Sequence, residues 1–364
     1  MFSVKLLTIC LFTVGFVEVY CRGISCKDEN NKDVDWYVVY KLPKIDTEPK
    51  GSLLYEGKGY AYLTSSRPTQ WTLSERSVES PKSMFGRTWS EYEKKTKSGD
   101  SAYLFYNDDP PETVKGTAVG HLKGSLAFDV TSGFWLIHSV PRFGDKDKYE
   151  YPRTALINGQ SALCVTFGTS YLDDICNHLI FCNPFIYYKN ISSSILALLG
   201  SSAKSLFSEK PAFIRKPPFL YKSVLESCGG ETFYSYAKDN QMQVDIYSDI
   251  LASNLSSSLI AETWRRGVGT FLHPSCNTSY TVTDVKSVSV PVANREQDIS
   301  FKSTEDHSKW AISLDYRKSP WVCVGDINRM KSQARRGGGA LCFKSKPVWS
   351  AYRSTVVDTS VCQN

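Results

Sequence analysis

Short runs of apolar and aromatic residues broken by frequent turn signals run along the chain. Three of them read as strands: Trp36 to Tyr40, Ala102 to Tyr106 and Phe134 to Val140. Two further segments show the strand period sharply. In HLKGSLAFD, residues 121 to 129, alternation puts His121, Lys123, Ser125, Ala127 and Asp129 on one face and Leu122, Leu126 and Phe128 on the other. In HSKWAISLD, residues 307 to 315, it sets His307, Lys309, Ala311, Ser313 and Asp315 against Trp310, Ile312 and Leu314. Small residues flank both His-x-Lys triplets, which leaves room for a ligand or a facing strand while the apolar face packs into a core.

The second segment repeats the first at an offset of 186, with matching histidine, lysine and aspartate, and the same offset carries Trp135 onto Trp321. Each copy is followed by a turn, VTSG or YRKSP, and by a second apolar strand, FWLIHSV or WVCVGDI. The pattern predicts two hairpins meeting about a pseudo-twofold axis. Between them SEKPAFIRKPP, residues 208 to 218, is rich in proline and charge and marks a junction between halves spanning 21–207 and 208–364. The expected class is mixed α/β, with a central sheet flanked by helices in each half.

Composition narrows the setting. The chain has 364 residues, 41% of them hydrophobic, enough for a large core and incompatible with a peptide hormone or a disordered tail. Lys5 followed by the apolar run Leu6 to Val17 reads as a secretory leader over residues 1–20, too short to span a bilayer, and no later stretch reads as a span. Eleven cysteines and the sequons at Asn190, Asn254 and Asn277 point to an oxidising compartment, with the sequons expected on exposed loops. No CxxC spacing is present, which argues against a zinc ribbon. The formal charge of +6, rising as histidines protonate in an acidic lumen, favours a polyanionic partner.

Paired histidines and lysines suit phosphodiester hydrolysis. That reaction needs charge neutralisation, a nucleophile and an acid for the departing oxygen. Two lysines neutralise phosphoryl oxygens as point charges, one neutral imidazole attacks phosphorus, and one imidazolium protonates the leaving oxygen. The two rings must therefore titrate apart. His138 shares strand parity with Phe134 and Leu136, so it reads as buried, yet its hairpin also carries His121 and keeps it a secondary site candidate. In GDINRMKSQARRGGGALC, residues 325 to 342, Asn328 is a candidate hydrogen-bond donor to a phosphoryl oxygen. The glycines there, with Arg335 and Arg336, are candidates for approach to a phosphate backbone. Trp264, Arg265 and Arg266 combine aromatic and basic character suited to nucleic acid. Asp129 and Asp315 read as imidazole partners or as turn residues, His178 and His273 as structural, and NDDPPE at 107 to 112 as a loop.

VDWYVVYKLPK, LFYNDDPP, GHLKG, GFWLIHSVP, STEDHSKW, WVCVGDINR and RRGGGALC together give the chain a resemblance, over nearly its whole length, to the deoxyribonuclease II family of acid lysosomal endonucleases. The resemblance implies a phospholipase D-like fold in which two halves share one active site. It implies cleavage of DNA, duplex DNA in the first place, without metal or cofactor, through a phosphohistidine, to 3'-phosphate and 5'-hydroxyl ends. The expected setting is the lysosome or the secretory route, with engulfed or apoptotic DNA as substrate. His121, Lys123, His307 and Lys309 become the catalytic set, with His121 favoured as nucleophile and His307 as acid. Three disulfides are also implied, Cys26–Cys164, Cys276–Cys362 and Cys323–Cys342, which leaves Cys21, Cys176, Cys182 and Cys228 unassigned. The chain departs from the wider phospholipase D signature by carrying Phe128 and Leu314 seven positions after the histidines, where that signature has aspartate. Oligomeric state, a homodimer included, is left open. Rival readings are a lumenal hydrolase of lipid or single-stranded nucleic acid and a secreted DNA-binding protein without turnover.

Overall fold

The computed structural model describes residues 21–96, 99–111, 120–266, 270–276 and 278–362; the expected leader and Asn277 lie outside them. The fold is mixed α/β and is built on two large sheets. The first sheet has eight strands in the order Ile186–Ile191, Ala102–Asn107, Lys123–Phe128, Ser132–His138, Gln160–Gly168, Trp36–Lys41, Tyr60–Thr64 and Arg67–Leu73, all antiparallel. The second follows Leu220–Glu226, Thr232–Lys238, Gly338–Lys344, Trp321–Gly325, Trp310–Ser313, Leu259–Glu262, Val282–Val290 and Ile299–Lys302, with Val356–Thr359 also paired to Val282–Val290. Each sheet draws its strands from one side of residues 208–218.

Alternation decides which face of each strand is covered. Leu126 and Phe128 enter a core between the two sheets, together with Trp310 and Ile312 of the second copy. Ala127 instead joins an outer core beneath the helix Met84–Thr96, and Ala311 joins its counterpart on the far side of the second sheet. Leu314 departs from the pattern: its strand ends at Ser313, and the side chain is half exposed. Aromatic contacts bridge the sheets, with Trp36 against Phe343 at 5.6 Å and Phe167 against Phe233 at 5.9 Å between ring centres. At about 1.5–3 kcal/mol for each large side chain fully buried, this central layer binds the halves into one unit.

Helices are exchanged across that layer. Leu172–Cys182 follows the strand Gln160–Gly168 but packs on Leu220–Glu226 and Thr232–Lys238 of the other sheet. Lys346–Arg353 follows Gly338–Lys344 and packs on Arg67–Leu73, where Trp71 Nε1 donates to the Ala351 carbonyl at 2.9 Å.

The disulfides are Cys26–Cys164, Cys276–Cys362, Cys323–Cys342 and Cys21–Cys228, while Cys176 and Cys182 are buried thiols. Cys21–Cys228 spans 207 positions and pins the turn after Glu226, whose Ser227 hydroxyl donates to Asp35 at 2.6 Å, onto the first half. Removing it as the Cys21→Ser/Cys228→Ser pair is expected to lower unfolding free energy by about 2–5 kcal/mol, read by denaturant titration. An unchanged midpoint would show that the crosslink adds nothing. The sequon asparagines correct the loop expectation. Asn190 is exposed on the edge strand Ile186–Ile191, and Asn254 is exposed in the short helix Ala252–Asn254, because a strand edge or helix face reaches solvent as well as a loop does.

Candidate active site

Each His-x-Lys triplet leaves the start of its own strand and docks on the opposite half. The His121 amide donates to the Gly337 carbonyl at 2.7 Å, and the His307 amide donates to the Gly159 carbonyl at 2.9 Å. The loops that lead to those carbonyls are held by two buried lysines at matching strand ends. Lys41 Nζ donates to the carbonyls of Ala155, Leu156 and Asn158, just before Gly159, and Lys238 Nζ donates to those of Ala334 and Arg336, just before Gly337. A Cβ at Gly337 would lie 2.3 Å from the Cys182 carbonyl oxygen, so only glycine lets the chain pass there. Asp306 holds the second triplet's turn, accepting from Tyr40 Oη at 2.5 Å, Ser308 Oγ at 2.6 Å and the Ser308 amide at 2.9 Å.

The result is one cavity of about 220 Å³ lined by Asp108, Asp109, His121, Lys123, Ser139, Pro141, Trp264, His307, Lys309 and Asn328. Asp108 accepts from His121 Nδ1 at 2.7 Å, from Lys123 Nζ, and from Arg336 Nη2 at 3.2 Å. With Nδ1–H committed to a carboxylate, His121 turns the lone pair of Nε2 outward, 3.5 Å from Asn328 Nδ2. His307 has different neighbours. Its Nδ1 lies 3.4 Å from Gln160 Nε2, the Trp264 ring stands perpendicular to it with 3.7 Å between ring centres, and Nε2 is buried without a hydrogen-bond partner among the described residues. Lys309 Nζ donates to the His307 carbonyl at 2.7 Å.

Electrostatics follow from crowding four cationic groups into a buried site. Burial opposes charge on Asp108, but His121 and Lys123 hold its carboxyl well below the ordinary range. Burial pushes the His121 imidazole down to about 4, Asp108 partly offsetting it. It pushes His307 down to about 3 with help from Lys309 and Lys123. Burial and the Lys123 charge bring Lys309 down to about 7, and burial raises the Asp326 carboxyl to about 7.

The deoxyribonuclease II family model matches residues 25–362. The chain belongs to that family. It is 36% identical to plancitoxin-1 of Acanthaster planci, covering 94% of this chain and 93% of that one. It is 34% identical to deoxyribonuclease-2 of Caenorhabditis elegans, over 93% of this chain and 94% of the relative, and 34% identical to human deoxyribonuclease-2-beta, over 97% and 96%.

Within this family member the cavity gathers His121, Lys123, His307, Lys309, Asn328 and Trp264 from the sequence candidates. Others are placed elsewhere. Arg265 does not line the cavity; it pairs with buried Asp284 at 2.9 Å. Arg335 lines a separate cavity, and Arg336 touches the site through Asp108 and the Gly120 carbonyl without lining the cavity itself. The three glycines beside them are no phosphate loop: Gly338 and Gly339 open a buried strand, packed on Ile327 and His178. His138 is buried behind the site, accepting from the Val140 amide at 3.2 Å, and His178 bonds Ser235 Oγ at 2.6 Å. Asp129 and Asp315 are turn residues, accepting from the amides of Thr131 and Arg317. Sequence reasoning missed Asp108 and Gln160. For Asp108 a signal existed, a carboxylate directly after a strand inside LFYNDDPP; Gln160 carried none.

Proposed function

We propose that the chain is an acid endodeoxyribonuclease that cleaves DNA without a metal ion, through a phosphohistidine on His121. The observation that carries this reading is the convergence of both His-x-Lys pairs on one cavity, each pair braced by the opposite half. A bound phosphodiester has its non-bridging oxygens between Lys123 and Lys309, with Asn328 Nδ2 as a further donor. His121 Nε2 attacks phosphorus, the P–N bond forms as the P–O5' bond breaks, and His307 gives its Nε2 proton to the leaving oxygen. Water then attacks phosphorus, its proton passes to His307, the P–N bond breaks, and a 3'-phosphate leaves. The bound anion offsets the lysine charges that disfavour protonated His307, so the substrate itself raises the proton affinity of its acid. The location is the lysosome, which supplies the acidity, or the secretory route, either of them reached by the leader.

The test is plasmid digestion at pH ~5 with excess chelator, followed by end analysis. Cutting with 3'-phosphate ends is expected; loss of cutting in chelator would overturn the reading. The rate is also expected to fall as pH rises through about 7, because Lys309 is charged and Asp326 neutral below that value and both change above it. The first change removes a positive charge from the phosphate site, and the second places a negative charge close enough to Lys123 and Lys309 to oppose theirs. A rate constant from pH 5 to 9 would contradict this electrostatic account.

A further inference from the structure

The two catalytic histidines differ in what stands behind them, and that difference rests on hydrogen-bond geometry. Behind His121 is a carboxylate, which only accepts. Behind His307 is an amide that belongs to a relay: the Ser161 amide donates to Ser139 Oγ at 2.9 Å, Ser139 Oγ donates to Gln160 Oε1 at 2.6 Å, and Gln160 Nε2 faces His307 Nδ1 at 3.4 Å. Gln160 and Ser139 are both buried. The register explains the asymmetry. In the first half Gln160 begins the strand after Gly159, whereas the equivalent position after Gly337 is Gly338, which has no side chain to offer His121.

Accepting the nuclease reading above, we propose that Gln160, backed by Ser139, is a reversible positioning residue that matches its amide to the changing protonation state of His307. With His307 neutral, as the amide is set here, Gln160 Nε2–H donates to Nδ1 and the imidazole proton sits on Nε2, which has no hydrogen-bond partner among the described residues. With His307 protonated, Nδ1–H needs an acceptor. Turning the amide over presents Oε1 to it, and the Ser139 hydroxyl, which donates or accepts by rotation, takes Gln160 Nε2–H instead. After Nε2–H has gone to the leaving oxygen, Nδ1–H stays on Oε1, and Nε2 is left with a lone pair for the proton of the attacking water. A carboxylate at this position would hold His307 in one sense and favour its cation. The other groups facing His307 are Lys309 beside it, His121 and Lys123 from the first half, Lys41 beneath, and Asp108 and Asp109 across the cavity.

Three proteins test this on two substrates: wild type, Gln160→Glu and Gln160→Ala, with plasmid DNA and with thymidine 3'-(4-nitrophenyl phosphate), whose leaving group needs no proton. In Gln160→Glu the new carboxylate stabilises the cations of both His307 and neighbouring Lys309, and the pH at which plasmid cleavage falls to half should rise by at least about one unit. In Gln160→Ala kcat on plasmid should drop about tenfold or more with KM little changed, while single-turnover release of 4-nitrophenolate from the ester stays within about twofold of wild type. An unmoved pH profile in the glutamate variant, or equal losses on both substrates in the alanine variant, overturns the proposal. Failure of wild type to cut plasmid in chelator would instead bring down the nuclease reading beneath it.

Discussion

Alanine at His121 is expected to abolish cleavage of every phosphodiester substrate, whereas alanine at His307 should lower plasmid cleavage by about 10²–10⁴-fold and spare the first step, release of the leaving group, on substrates whose leaving group is good. The two rings occupy one cavity but present different atoms to it: His121 a lone pair, held by Asp108 on its far nitrogen, and His307 a buried N–H. Without the nucleophile no P–N bond forms, however labile the leaving group. Without His307 the departure of a basic alkoxide suffers, and so does the later attack of water, but the departure of a good leaving group does not. DNA binding by both variants should stay close to wild type, since affinity for the phosphate backbone rests on many dispersed charges. Steady-state rates on plasmid and single-turnover release of 4-nitrophenolate from thymidine 3'-(4-nitrophenyl phosphate), with filter binding alongside, check all of this. A His307→Ala variant crippled equally on both substrates would remove the acid role, and a His121→Ala variant with measurable turnover on the ester would remove the nucleophile.

The parts of this site that can be read from sequence are those governed by local period. Strand alternation separates Lys123 from Leu126 and Phe128, and Lys309 from Trp310 and Ile312, and the structure puts those apolar side chains in the central core. Duplication of the triplet shows that two copies exist, and pairing of the strands around them is local enough to follow. What alternation does not carry is the identity of partners across sheets. Asp108 meets Lys123 because Asn107 pairs with Lys123 in neighbouring strands, and Gln160 meets His307 only because the two halves interlock. Lys41 and Lys238 look like ordinary strand ends in sequence, yet they tether the loops that receive the opposite triplet. Basic residues mislead in the same way. Arg265 and Arg336 look ready for DNA, but folding commits them to Asp284 and Asp108.

Asp108 is where one substitution should cost most for least change in shape. Its carboxylate serves three donors at once, His121 Nδ1–H, Lys123 Nζ and Arg336 Nη2, and is held ionised by them. In Asp108→Asn only one oxygen remains. Lys123 and Arg336 carry fixed charge and have no use for an N–H, so they claim that oxygen, and the new NH₂ turns toward His121 Nδ1. An imidazole that accepts on Nδ1 must keep its proton on Nε2, the atom that should attack phosphorus. The wrong tautomer behind an intact outline costs about 10⁴-fold in the Ser-His-Asp enzymes, and a loss of about 10³–10⁴ in kcat is expected here, with KM nearly unchanged. Because the defect lies in the nucleophile, the nitrophenyl ester should not rescue it, which separates this variant from those at His307 and Gln160. Wild-type kcat for Asp108→Asn on either substrate would mean that Asp108 does not select the tautomer, and His121 would lose its claim to the attacking role.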